Sequence, residues 1–138
     1  MDNSGYIFAD DDVTGGVWYF VAPGKFMGDQ SEFVGGNLDF YLIQKSALSD
    51  QFESKDVIIE GGDNQEIYYY HSSYPDTTWT HYEISLDTSA GWMNSSNTDA
   101  SPSEIQSVLS DVQSLRIRGE FESGPDTGGL DKFQFIEE

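Results

Sequence analysis

Leu38-Asp39-Phe40-Tyr41-Leu42-Ile43 decides the fold class, because Leu38, Phe40 and Leu42 alternate with Asp39, Tyr41 and Ile43. A period of two belongs to a strand, whose successive side chains point to opposite faces of a sheet. The same period returns at 79–86, where Trp79, His81, Glu83 and Ser85 share one side and Thr80, Tyr82, Ile84 and Leu86 the other. Working outward, shorter strand-like runs lie at Val17 to Val21, Asp56 to Glu60, Ile67 to Tyr70, Leu115 to Phe121 and Leu130 to Ile136. Between them stand Gly15-Gly16, Gly35-Gly36, Gly61-Gly62-Asp63-Asn64, Tyr74-Pro75-Asp76 and Gly128-Gly129, all turn-forming sequences. Many short strands separated by turns predict an all-β antiparallel sandwich.

One segment departs from this pattern. Ser101-Pro102-Ser103-Glu104 offers an N-cap serine, a proline at the first helical position and a glutamate at the capping-box position. Ile105, Val108, Leu109 and Val112 follow at helical spacing. One short helix is predicted there, its apolar face plugging an end of the sandwich. The stretch from Asp87 to Ala100, polar and containing Trp92, reads as a long loop.

Two longer blocks frame these elements. One is Ala22-Pro-Gly-Lys-Phe-Met-Gly-Asp-Gln-Ser-Glu-Phe-Val-Gly-Gly-Asn-Leu-Asp-Phe40, the other Leu115-Arg-Ile-Arg-Gly-Glu-Phe-Glu-Ser-Gly-Pro-Asp-Thr-Gly-Gly-Leu-Asp131. In order and spacing they resemble the laminin B (laminin IV) domain, in the form found in bacterial extracellular proteins. The resemblance runs over roughly residues 18 to 135. It implies an extracellular or cell-surface β-sandwich of the jelly-roll kind, like that of galactose-binding and other carbohydrate-binding modules, and it implies no chemistry. It also places such domains inside larger proteins, so residues 1–138 are expected to be one such domain, with Met1 an added start and any export signal removed.

The totals narrow the function. A chain of 138 residues is long enough to bury a real core. Twenty-five acidic residues against six basic ones give a net charge of −19, which repels nucleic-acid backbones and anionic lipids and favours cations. No apolar run is long enough to insert into a membrane. Without cysteine there are no disulfides, thiolate metal sites or thiol nucleophiles. An isolated domain of this kind is expected to be monomeric.

Calcium takes six to eight hard oxygen ligands, and glycine-rich acidic loops supply them. Gly28-Asp29-Gln30-Ser31 and the segment from Gly124 to Asp131 have that composition. In jelly-roll modules resembling this domain, a structural Ca2+ ties an early loop to an aspartate on the last strand. That resemblance implies Asp29 and Asp131 as ligands, with Asp10, Asp12 or Asp126 as additions. The alternative is that so acidic a chain places aspartates in any loop, with Asp126 starting a turn and Asp131 pairing with Arg118.

Arg116 and Arg118, the two arginines of the chain, lie two apart on a predicted strand and so share a face. They could grip a carboxylate or an acidic sugar through their planar forks, or pair structurally with Glu120, Asp126 or Asp131. Aromatic faces stack on pyranose rings. Trp18 and Trp79 read as core residues, Trp92 as exposed in its polar loop, and Tyr69 as the tyrosine of the 68–70 run best placed for a ligand. The two histidines, His71 and His81, fall in no metalloprotease pattern, and no nucleophile elbow or phosphate loop occurs.

The reading is a non-catalytic adhesion or binding module of a larger secreted or surface protein. Its partner would be a glycan or an extracellular-matrix or surface protein, with Trp92, Tyr69 and Arg116 as ligand-binding candidates. A purely architectural or protein-interaction domain is the alternative. A polysaccharide hydrolase or lyase would require two carboxylates, or a histidine and a base, converging in a cleft.

Overall fold

A computed structural model of the chain describes residues 6–11, 19–22, 24–44, 55–71, 75, 77–119 and 126–137. Among them run the strands β1 (Tyr6–Asp11), β2 (Tyr19–Val21), β3 (Asn37–Gln44), β4 (Val57–Glu60), β5 (Glu66–Tyr69), β6 (Thr80–Ser85), β7 (Met93–Asn94), β8 (Ser114–Arg118) and β9 (Asp126–Ile136). A single α-helix, α1 (Pro102–Leu109), accompanies them. The strands form two antiparallel sheets, ordered β1-β9-β3-β6 and β2-β8-β4-β5-β7. The chain changes sheet at every connection except β4 to β5 and β7 to β8, so each sheet is assembled from distant segments.

The alternation read in β3 and β6 sets which faces meet. Leu38, Phe40, Leu42, Tyr82 and Ile84 are buried, and opposite them Val57, Ile59, Ile67, Leu115 and Ile117 complete the core between the sheets. Phe40 stacks on Tyr82 at 5.5 Å, and Phe26 meets Phe133 edge-on at 4.7 Å. The β3–β9 register slips between Asp39 and Tyr41, and Lys132, in the strand opposite, takes a left-handed backbone (φ 53°).

The helix forms as its sequence predicts. Ser101 accepts from Glu104 N at 3.2 Å, while the Glu104 carboxylate accepts from Ser101 N at 2.9 Å. The bond from Ser101 N first, and then that from the Asn94 amide, hold the Glu104 carboxyl below its usual range. Ile105, Val108 and Leu109 turn into the core, and the helix packs against β5 and the 3-10 turn Ser31–Phe33.

Three local expectations change. Gly128 and Gly129 do not end a strand: β9 runs through them, paired with β1 on one side and β3 on the other. Tyr6–Asp11, read only as holding acidic loop residues, supplies β1. Asp87 to Ala100 is no open loop but holds a 3-10 turn (Thr88–Ala90) and β7, because its polar side chains serve local backbone. Asp87 caps Ser89 N at 2.9 Å, and Asn94 Oδ1 accepts from Ser96 N and Thr98 N.

The β4–β5 hairpin closes on Asp63 and Asn64, both left-handed (φ 58° and 60°), with Gln65 N donating to Gly62 O at 3.2 Å. Positive φ at both central positions is the type I′ pattern, which aspartate and asparagine tolerate, and both Gly61 and Gly62 bond Gln65 across it. Just before it, α1 passes so close that a Cβ on Gly61 would lie 2.9 Å from Val108 Cα. Gly61→Ala is therefore expected to lose about 1–3 kcal/mol of stability by overpacking against backbone. A urea midpoint equal to that of the parent protein would contradict this contact.

Candidate functional site

The outer face of the five-stranded sheet carries the groups best suited to a ligand. Because Leu115 and Ile117 face the core, register puts Arg116 on the outer side of β8, opposite Val21 on β2 and Ile58 on β4. Arg116 Nη2 donates to Glu60 Oε1 at 2.8 Å, and its guanidinium lies 5.7 Å from the centre of the Tyr19 ring. Arg116 Nε is shielded from water and makes no hydrogen bond among the described residues. Tyr19 in turn donates through its hydroxyl to Lys55 O at 2.8 Å.

A cleft of about 320 Å³ opens beside this strip, lined by Glu60, Gly61, Gly62, Asp63, Asn64, Gln113 and Ser114. Its walls are the I′ turn and the start of β8. Carboxylates, amides, a hydroxyl and glycine backbone converge there, a set that bonds hydroxyl groups well.

Arg118 has a different setting. Its side chain is fully buried, and Nη1 donates to Asp56 Oδ1 at 3.1 Å. Asp56 is equally buried and also accepts from His71 N at 2.8 Å. The structural role expected for Arg118 thus holds, with Asp56 as a partner that sequence reasoning missed. His71 stacks on Tyr82 at 4.0 Å. Burial, and secondly the Arg118 charge, pushes its pKa down to about 3.

The tryptophans exchange their expected places. Trp92 is 1 % exposed, donates Nε1–H to Ser85 O at 2.8 Å and packs against Tyr69, so it offers no face to a ligand. Trp79, read as core, is 38 % exposed, and Trp18 lies outside the described residues. Tyr69 also turns inward, meeting Trp92 and His71, and burial followed by the Asp56 charge raises its pKa. The exposed tyrosine of the run is Tyr70, while Tyr68 lies under Lys55 and bonds Asn97.

For the calcium set, Asp29 is exposed, and its Oδ1 accepts from Ser31 N at 3.0 Å and from Ser31 Oγ. Those bonds, the hydroxyl's first, lower its pKa. Asp12 lies outside the described residues. Asp126 and Asp131 lie within β9, Asp126 opposite Asp11 and Asp131 between Tyr6 and Tyr41. From Asp126 onward the segment expected as a ligand-bearing loop is strand, with its backbone engaged in sheet pairing. Among the described residues, Asp29 belongs to no group of three close metal-ligating side chains.

The family model for laminin B (domain IV) matches residues 19–136. The chain belongs to the laminin B family. This laminin B domain is 31 % identical over 109 residues to laminin-like protein lam-2 of Caenorhabditis elegans, and 30 % identical over 108 residues to laminin subunit gamma-1 of Homo sapiens. Laminin subunit gamma-1 of Xenopus tropicalis is 29 % identical over 108 residues. Each alignment covers 75 % of this chain, which spans about 6 % of the length of those relatives. Among solved structures, the L4b domain of human laminin alpha-2 superposes with a TM-score of 0.74, covering 87 % of this chain and 70 % of that one. At 13 % identity, that likeness speaks for the sandwich fold alone. In the laminin B domain described here, no helix among the described residues is long and apolar enough to cross a membrane.

Proposed function

We propose that this laminin B domain is a non-catalytic, extracellular matrix-type binding module that takes neutral glycans in the cleft beside Arg116. One observation carries the reading: a strip from Tyr19 through Arg116 and Glu60 runs into a cleft lined by polar residues and glycine. The Tyr19 ring supplies a flat apolar surface for a sugar ring, and the cleft amides suit hydroxyls. Glu60, Asp63 and the net charge of −19 disfavour sulfated or uronic sugars, which turns the preference toward neutral ones. Calcium enters this reading as a stabiliser, since that same charge favours a bound divalent cation and Asp29 presents an exposed carboxylate in the early loop.

Weak affinity is expected, because a shallow wet cleft recovers little free energy after ordering costs. Amide shifts followed during titration with neutral and sulfated oligosaccharides, with and without calcium, test the reading. The expected result is shifts at Asp63, Asn64, Gln113 and Ser114 with neutral sugars, lost in Gln113→Ala and weakened in Arg116→Met. Silence across the neutral panel, or stronger binding of sulfated sugars, would overturn it. A protein-interaction role is the second reading, favoured by Val21, 70 % exposed on the edge strand β2. Matrix-protein fragments that shift Val21 while sugars shift nothing would move the function there.

A further inference from the structure

We propose that Asp39, His81 and Glu83 form a binding site for a divalent transition-metal ion on the outer face of the four-stranded sheet, with zinc the ion that they suit best. The site follows from register. In the antiparallel pair β3–β6, Asp39 stands directly opposite Glu83, and Tyr41 opposite His81. Since Leu38, Phe40, Tyr82 and Ile84 face the core, Asp39, His81 and Glu83 share the outer side. Their ligand atoms all lie within 4.8 Å of one another.

Two like charges directly opposite on neighbouring strands destabilise a sheet. Here one of them is also desolvated, the Asp39 side chain being 7 % exposed. His81 Nε2 lies 2.7 Å from Asp39 Oδ2. A carboxylate pair with one desolvated member, in a chain of net charge −19, favours a cation between its members.

The donor set selects the kind of cation. Calcium and magnesium take oxygen ligands, whereas an imidazole beside carboxylates suits zinc and its transition-metal neighbours. Bonds of about 2.0–2.1 Å to a tetrahedral ion put its donors roughly 3.3 Å apart. Reaching that spacing from the present one takes a small opening of the His81–Asp39 contact and a rotation of the exposed Glu83 side chain. The ion takes the place of the direct contact between His81 Nε2 and Asp39 Oδ2. Water fills the fourth place, as at other sites with three protein ligands.

The frame is rigid where the site needs it. All three ligands stand on strands, Asp39 on β3, which is paired on both sides. Tyr41 stacks on the His81 ring at 4.6 Å and 19°, and Lys132 Nζ lies 5.7 Å from the centre of the Tyr41 ring. That stack fixes the plane of the imidazole before any ion arrives. The glycan cleft is on the other sheet, and neither proposal depends on the other.

Calorimetric titration of zinc into the chelator-treated full chain, with the histidine ring resonances followed in parallel, tests the site. The expected result is one zinc per chain, shifts at His81 but not at His71, and a raised melting temperature. His81→Ala and Glu83→Gln should each weaken binding by about tenfold or more, Asp29→Ala should leave it unchanged, and excess calcium should not displace the zinc. Both weakened variants carry exposed substitutions, and their melting curves without metal report whether the fold is kept. No binding with zinc in excess, several weak sites without a His81 shift, or binding that survives both substitutions would overturn the proposal.

Discussion

Arg118→Met should lower the free energy of unfolding by about 3–5 kcal/mol, because it leaves the Asp56 carboxylate buried with its countercharge gone. Both side chains of the pair are at most 1 % exposed. In the folded protein Asp56 would keep the bond from His71 N, which supplies a dipole but no positive charge. Asp56→Ala should also destabilise the fold, by removing a buried acceptor of the guanidinium. The double variant should lose much less than the sum, since removing both partners removes the uncompensated charge. Arg116→Met is the internal control: its ion pair with Glu60 is 33 % and 42 % exposed, and an exposed pair contributes at most about 1 kcal/mol. Urea unfolding of the four variants measures all of this on one scale. Equal losses for Arg116→Met and Arg118→Met would show that the burial of Arg118 has no energetic consequence.

Acidification should destabilise the protein well before its carboxylates protonate. His71 is held neutral in the fold, its pKa lowered to about 3 first by burial and then by the Arg118 charge. In the unfolded chain it titrates near 6.5. Between those values the unfolded state binds more protons than the folded one, so stability rises with pH across that window and is level above it. The loss on going from neutral pH to about pH 3 is on the order of 4 kcal/mol, with a maximum slope of roughly 1.4 kcal/mol per pH unit. Asp29 and Glu104, whose pKa values are lowered, act in the same direction but only below the ordinary carboxylate range. The upper part of the window, from pH 6.5 to about 5, therefore belongs mainly to the histidine. His71→Phe keeps an aromatic ring against Phe40 and Tyr82 and removes the titration, so its stability should be flatter there. A parent protein whose stability is flat over that range, or a variant with the same slope as the parent, would refute this role of burial.

Much of the architecture was legible in the chain because the signals are local. The alternation around Phe40 and Tyr82 states which side of each strand is apolar and so faces the core. Ser101, Pro102 and Glu104 state where a helix starts, since the orphan N–H groups of a first turn need those partners within four residues. The paired blocks around Phe40 and Arg116 carried the family. Local polarity misled at Trp92, whose Asn- and Ser-rich surroundings bond their own backbone rather than water. It misled again at Gly128-Gly129, because a strand paired on both sides tolerates glycines that would otherwise mark a turn.

Partnership across the sheets was not legible. Arg118 and Asp56 are 62 residues apart, and His81 and Asp39 are 42 apart. Each residue was visible as a charged group on a predicted strand. Which strand lies beside which, and in what register, depends on the packing of the whole core, and a slip of one residue would turn each of these side chains to the other face. The sequence by itself determined the class of fold, the core-facing sides of β3 and β6, the helix and the acidic field around them. The tertiary structure alone decided that one arginine is buried on Asp56 while the other borders a cleft, and that a histidine and two carboxylates meet, because strand order and register are properties of the assembled sandwich.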